Sequence, residues 1–125
     1  MIVAIGIDLV EINRIEEVFA RRGERFRARV FTDGEISYCE RRASKLISYA
    51  ARFAAKEAAM KALGTGWSDG VGWRDIEVVS EHNGAPALQL HGRALERMRE
   101  IGAKKAHVSL THSGNLAIAE VLLEG

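Results

Sequence analysis

The sequence predicts an α+β fold, a mainly antiparallel sheet with one long helix packed on it. Three observations carry this: an alanine-rich helical segment between Ser44 and Gly64, two alternating hairpins near residues 75–91 and 106–123, and a short apolar β-branched run at Ile2 to Asp8. A chain of 125 residues, 47% hydrophobic and 28% charged, is expected to form one globular domain over residues 1–125. Such a domain buries about two thirds of its unfolded surface.

Ile2 to Asp8 (IVAIGID) reads as a buried strand, and Asp8 closes it. From Leu9 the chain reads as a helix with Ile12, Ile15 and Phe19 on its apolar stripe, so Asp8 fits both an N-cap and a functional carboxylate. Thr32 with Glu35 forms a capping box that opens a short helix through Tyr38. Ser44 then caps the long helix, which Gly64 closes after about five and a half turns. The glycines of TGWSDGVGW, from Thr65 to Trp73, make a loop that matches neither a Walker nor a dinucleotide-binding pattern. Asp75 to Ser80 and Pro86 to His91 form a hairpin around Asn83-Gly84. Arg93 to Ile101 is a helix ended by Gly102, and Ala106 to His112 pairs with Leu116 to Leu123 around Ser113-Gly114. Alternation along the first of those strands puts His112 on the apolar side with Val108 and Leu110, where a lone histidine is more often structural than catalytic.

A net charge of +1 gives no global reason to expect nucleic acid or anionic membrane as a partner. The single cysteine, Cys39, forms no internal disulfide and fits a reducing cytosol, and the N-terminal apolar run is too short to span a bilayer. The protein is therefore expected to be cytoplasmic. Charge is nonetheless local: Arg21 to Arg29 holds five arginines against one glutamate with Phe26 interleaved, and Arg14 lies on the same helical side as Arg21. Arg14, Arg21 and Arg25 are read as a docking surface for an acidic partner. A nucleic-acid-binding module is the competing reading, but the predicted strands carry no aromatic residue on which bases could stack.

Chemistry is expected at the long helix. Leu46, Ala50, Phe53, Glu57 and Lys61 fall on one stripe, so a carboxylate and an ammonium interrupt an otherwise apolar face. An ordinary i, i+4 ion pair explains them equally well in isolation, although such a pair would sit more naturally on the side carrying Lys45 and Lys56. With Asp8 on a second element, two carboxylates and a lysine suggest a Mg²⁺ site that handles a phosphate-bearing substrate. Another Mg²⁺-dependent phosphoryl transferase or hydrolase would use the same groups. No Cys and His cluster has zinc-ligand spacing.

The segments IGIDLVEI (residues 5–12), RFAAKEAAMKALGTG (residues 52–66), NGAP (residues 83–86) and HVSLTHS (residues 107–113) together resemble the holo-[acyl-carrier-protein] synthases, the small 4′-phosphopantetheinyl transferases. The resemblance spans the chain in order. It implies the phosphopantetheinyl transferase fold and transfer of 4′-phosphopantetheine from coenzyme A to a serine of apo acyl carrier protein, releasing adenosine 3′,5′-bisphosphate. Carried over by position, Asp8 and Glu57 hold Mg²⁺, Glu57 leads as the base, and Lys61, Arg52 and His112 meet coenzyme A. Asn83, Gly84 and Pro86 line its adenine end, and Arg41, Arg42 or Lys45 meets the 3′-phosphate. Arg14, Arg21 and Arg25 dock the carrier protein. A unit of this size is further expected to be a homotrimer with sites between protomers.

Overall fold

The computed structural model describes residues 1–66 and 69–125. Strand β1 (Ile2–Glu11) leads into helix α1 (Ile12–Val30), followed by α2 (Asp33–Glu40) and the long α3 (Lys45–Leu63). A short 3₁₀ turn (Trp73–Asp75) precedes β2 (Ile76–Ser80) and β3 (Pro86–Leu90), then α4 (Gly92–Glu100), β4 (Lys105–Ser113) and β5 (Leu116–Glu124). Every strand pairing is antiparallel, but the strands divide into two sheets, β1-β5-β4 and β2-β3. Within the glycine-rich loop expected over residues 65–73, residues 67–68 lie outside the described residues.

The local signals act as expected. Thr32 Oγ1 accepts from the Glu35 amide and Glu35 Oε1 accepts from the Thr32 amide, completing the capping box. Gly64 ends α3 at φ 73°, the left-handed conformation that glycine adopts without Cβ strain. Ser44 occupies the N-cap position of α3 but its side chain makes no cap hydrogen bond. The kink in α1 falls at Arg22, whose φ of −136° breaks the helix beside Gly23.

Helix α3 is the centre of the core. Its alanines at 50, 54, 55, 58 and 59 are buried against β1 and β5, which themselves bring Ala117 and Ala119. Small residues on both sides let strand and helix backbones approach. At the helix layer, Phe19, Phe26, Phe31, Tyr49, Phe53 and Trp73 form a chain of ring contacts with centroids 4.9–5.9 Å apart. The rings are all on helices or connections, and the strands carry none.

Two expectations about faces are corrected. The strand β1 is buried on one side only: Ile5, Ile7 and Leu9 are 56%, 57% and 54% exposed, while Gly6 and Val10 point inward. A continuous apolar run looked like a strand covered on both faces, but this chain supplies a layer for only one. On α3, the face carrying Lys56 is not solvated. Lys56 is fully buried and donates to Glu35 Oε1 (2.8 Å), to the Trp73 carbonyl (3.0 Å) and to the Ile76 carbonyl. Glu35, also fully buried, accepts the Val78 amide at its other oxygen (2.8 Å). Burial pulls the Lys56 ammonium below its usual range, and the Glu35 carboxylate opposes the shift. One pair therefore ties α2, α3, the 3₁₀ turn and β2.

Truncating one partner of a buried ion pair leaves the other charge unpaired, which costs about 3–5 kcal/mol. Lys56→Met is expected to destabilise by that order, read as a lowered urea midpoint with an unchanged m-value. A midpoint equal to wild type would remove this pair from the core of the fold.

Candidate active site

Asp8 is not the cap of α1. The helix begins four residues later, at Ile12, and its first amides are satisfied from the far end of the chain: Ile12 N donates to the Asn115 carbonyl (2.7 Å) and Asn13 N to Asn115 Oδ1 (3.0 Å). The β4-β5 turn does the capping, and Asp8 stays in the strand with its side chain on the inner face. Lys61 meets it there, donating to Asp8 Oδ1 (2.9 Å) and to the Ile7 carbonyl (3.1 Å). The i, i+4 reading of Glu57 and Lys61 thus gives way to a bridge between α3 and β1.

Glu57 lies one helical turn before Lys61 and is half-buried. Burial raises its carboxyl above the ordinary range, the Asp8 carboxylate raises it further, and Lys61 opposes both. Two carboxylates from two elements repel each other here, with one ammonium between them. Far from being the apolar face of α3, the stripe of Phe53, Glu57 and Lys61 is its least covered face, because β1 and β5 take the alanine side.

His112 is also on the inner side by alternation, as expected, but lies at the end of β4 beyond the core and is exposed. Its register partner is Ala117 and that of Asp8 is Ala119, so the two side chains flank β5 on the same face, roughly 12 Å apart across two strand spacings and two residues along β5. His112 lines a pocket of about 490 Å³ with Arg41, Arg42, Arg52, Ser44 and Tyr38. Arg52 is 5% exposed, stacks its guanidinium 4.1 Å from the Tyr38 ring centroid, and has no hydrogen-bond partner for Nε among the described residues. Of the three residues expected near a terminal phosphate, Arg41 and Arg42 line this pocket, whereas Lys45 is engaged with Glu40 (3.3 Å).

The structure does not bring the other sequence-selected residues to this place. Asn83, Gly84 and Pro86 form the β2-β3 turn, where Asn83 Oδ1 accepts the Ala85 amide and Gly84 adopts φ 85°, and none of them lines the pocket. Arg14 and Arg21 are exposed on α1, with Arg14 4.0 Å from Glu11. Arg25 lines a second, larger groove of about 750 Å³ with Arg22, Arg29, Phe26, Phe53 and Trp73. The sequence reading missed Tyr38 as a pocket residue and Asn115 as a cap. Tyr38 had a signal, one helical turn and a connection before the arginines it accompanies. Asn115 had none, since its partner is 102 residues away. Cys39 is buried and its thiol is pushed up to about 12, chiefly by burial, so it takes no part in this chemistry.

Residues 4–119 match the model of the 4′-phosphopantetheinyl transferase superfamily, and the chain belongs to that superfamily. Its relatives there are holo-[acyl-carrier-protein] synthases. The synthase of Solibacter usitatus is 50% identical over 124 residues, covering 99% of each chain. Among solved structures, the synthase of Neisseria meningitidis matches with a TM-score of 0.89 at 32% identity over 100% of both chains. That of Bacillus anthracis, described in complex with CoA (3′,5′-ADP), matches with a TM-score of 0.81 at 36% identity, over 100% of this chain and 98% of the other.

The raised carboxyl of Glu57 fixes the sign of a stability effect. Below about pH 4, where even an unfolded glutamate is protonated, the acid and an amide in its place are both neutral. As pH rises through the elevated folded-state pKa, the charged acid loses stability relative to the amide. In chelator at pH 7, Glu57→Gln should therefore melt higher than wild type, with the gain vanishing on acidification. A variant that melts lower at pH 7 would mean that Glu57 is a stabilising ion-pair partner after all.

Proposed function

We infer that the protein moves 4′-phosphopantetheine from coenzyme A to a serine hydroxyl of an apo acyl carrier protein, releasing adenosine 3′,5′-bisphosphate. The observation that carries this is the meeting of Asp8, Glu57 and Lys61 beside a pocket lined by Arg41, Arg42, Arg52 and His112, in a chain of this superfamily. The residues divide into a carboxylate centre, a cationic pocket and an arginine surface.

Asp8 and Glu57 are the residues that would hold Mg²⁺. The donor set fits: both are oxygen ligands, they approach closely enough to raise the Glu57 carboxyl, and the ion commonly needs only one or two protein carboxylates. Bound there, Mg²⁺ would neutralise charge on the diphosphate of coenzyme A. Lys61, oriented by Asp8 and the Ile7 carbonyl, presents its ammonium to the phosphate oxygens. His112 contacts the same diphosphate from across β5. Arg52, with Nε buried and lacking a protein acceptor, and Arg41 and Arg42 at the pocket mouth suit the 3′-phosphate. Preorganised cations of this kind act where charge develops on the departing phosphate. As the serine oxygen forms its bond to phosphorus, the bond to adenosine 3′,5′-bisphosphate breaks, and Glu57 takes the serine proton.

The adenine end is assigned to Asn83, Gly84 and Pro86 of a neighbouring copy, since this hairpin turn does not line the pocket of its own chain. The assembly is a homotrimer with each site between two protomers, and the cytoplasm, where Cys39 remains a thiol, is its place. Arg14, Arg21 and Arg25 dock the acidic carrier protein, with Phe26 and Phe53 supplying apolar surface in the adjoining groove.

Incubating the protein with apo carrier protein, coenzyme A and Mg²⁺ should add one phosphopantetheine to the carrier by intact mass. Glu57→Gln and Asp8→Asn, natively folded by circular dichroism, should each lower turnover at limiting Mg²⁺ by about 10²-fold or more. Wild-type turnover in either variant would move the metal elsewhere.

Docking and chemistry separate kinetically. Arg14→Glu should raise KM for carrier protein about tenfold, leave KM for coenzyme A within twofold, and be mimicked by high salt. Equal effects on both substrates would take the α1 arginines out of the docking surface.

A further inference from the structure

Two guanidiniums lie over the ring of Tyr38 at the end of α2. That of Arg52, reaching across from α3, has its Cζ 4.1 Å from the ring centroid, and that of Arg42, four residues on from Tyr38, is at 5.3 Å. Both fall inside the range of about 6 Å over which a ring quadrupole attracts a cation. All three residues line the pocket of about 490 Å³, and no carboxylate lines it with them. Among the described residues Arg41, Arg42 and Arg52 form no ion pair, whereas Arg14, Arg27, Arg74, Arg93 and Arg97 do. The acidic groups nearby are already taken. Glu40 accepts from Arg27 (2.9 Å), Lys45 (3.3 Å) and Tyr49 (2.7 Å). Glu77, which shares a neighbouring cavity with Tyr38 and Arg41, is held by Thr32 (2.7 Å) and His91 (3.0 Å).

The choice of an aromatic ring as the partner of these arginines has a chemical consequence. A carboxylate in its place would hold the guanidiniums as firmly but would neutralise them and occupy their N–H donors. The face of a ring carries neither a formal charge nor an oxygen acceptor, so it fixes the side chains while their charge stays available. Arg52 shows the result: it is 5% exposed, its Nη1 reaches only the Ser48 carbonyl (3.4 Å), and its buried Nε has no acceptor. We propose that Tyr38 is a positioning residue of this pocket: its ring holds Arg52 and Arg42 ready for one terminal phosphate monoester, and so sets the preference for a donor that carries this group over one that ends there in a hydroxyl. This rests on the transferase reading above and deepens it. Tyr38 itself needs no contact with the phosphate. It removes the freedom of two long side chains before the donor arrives, which would otherwise be lost on binding. A donor without the phosphate has nothing to gain from that order.

The test measures kcat/KM for transfer to apo carrier protein from coenzyme A and from 3′-dephospho-coenzyme A, for wild type, Tyr38→Phe, Tyr38→Leu and Arg42→Lys, with circular dichroism to confirm folding. Wild type should prefer coenzyme A by about 10²-fold or more. Tyr38→Leu should lose about tenfold on coenzyme A and stay within about twofold on the dephospho donor. Tyr38→Phe keeps the ring and should keep the wild-type preference. Arg42→Lys, at an exposed position, keeps the charge but not the planar fork, and should lose about threefold or more on coenzyme A alone. It carries the test if Tyr38→Leu does not fold. An equal loss on both donors in Tyr38→Leu would make Tyr38 a packing residue only and overturn the proposal. A Tyr38→Phe without the preference, or an Arg42→Lys with the full preference, would overturn it too, because the hydroxyl or the charge alone would then suffice. These three results leave the transferase reading standing. A wild type that uses both donors alike would remove the phosphate from this pocket together with the proposal, and transfer from neither donor would overturn the transferase reading itself.

Discussion

Gly6 lies so close to α3 that a Cβ there would sit 1.9 Å from the Ala58 carbonyl oxygen and 2.8 Å from the Ala62 amide nitrogen. These are backbone atoms of the core helix and have no rotamer by which to move aside. The close approach of β1 and α3 is therefore set by a missing side chain, and the reactive groups are placed from it. Asp8 is two residues beyond Gly6 on the same face of the strand, and Lys61 is three residues beyond Ala58 on the helix. Were the strand held off by even one methyl layer, the 2.9 Å bridge between them would have to stretch or rotate.

The two lysines of α3 show how one helix serves both stability and chemistry. Lys56 is spent wholly inside, joining three elements through Glu35 and two backbone carbonyls, and that network fixes the rotation of the helix about its axis. Given that rotation, the next residue, Glu57, has to emerge on the open side, where it meets the Asp8 carboxylate. The uncomfortable proximity of two carboxylates is tolerable because the neighbouring core is tightly braced. An arrangement that a folding criterion alone would remove marks this face of α3 as the candidate site.

Signals confined to a few residues were legible in the sequence. The Thr32 and Glu35 box, the Gly64 terminator and both hairpins depend on near neighbours, and the order of elements follows from them. The pairing of Glu57 with Asp8 across two elements was also legible, because carboxylates interrupting apolar patterns are few. What escaped was whatever depends on distant partners. Asp8 fitted a helix cap as well as a functional carboxylate because it ends an apolar run, but the first amides of α1 are met by Asn115 in the last hairpin. Lys56 looked solvated because an alanine-rich helix has little contrast between its faces, and only packing decides which lysine goes inside. The exposed side of β1 was hidden for a related reason: an unbroken apolar run has the same pattern whether its second face meets this chain or another.

Coenzyme A ends in a thiol, and a protein that handles it repeatedly is at risk of exchanging disulfides with its own substrate pool. Cys39 is 0% exposed and its thiol is held near 12, so at physiological pH almost none of it is the nucleophilic thiolate. The chain thus presents oxidised coenzyme A with no accessible thiol to attack or be attacked. Its activity should be indifferent to the redox poise of the substrate pool, apart from the supply of donor itself.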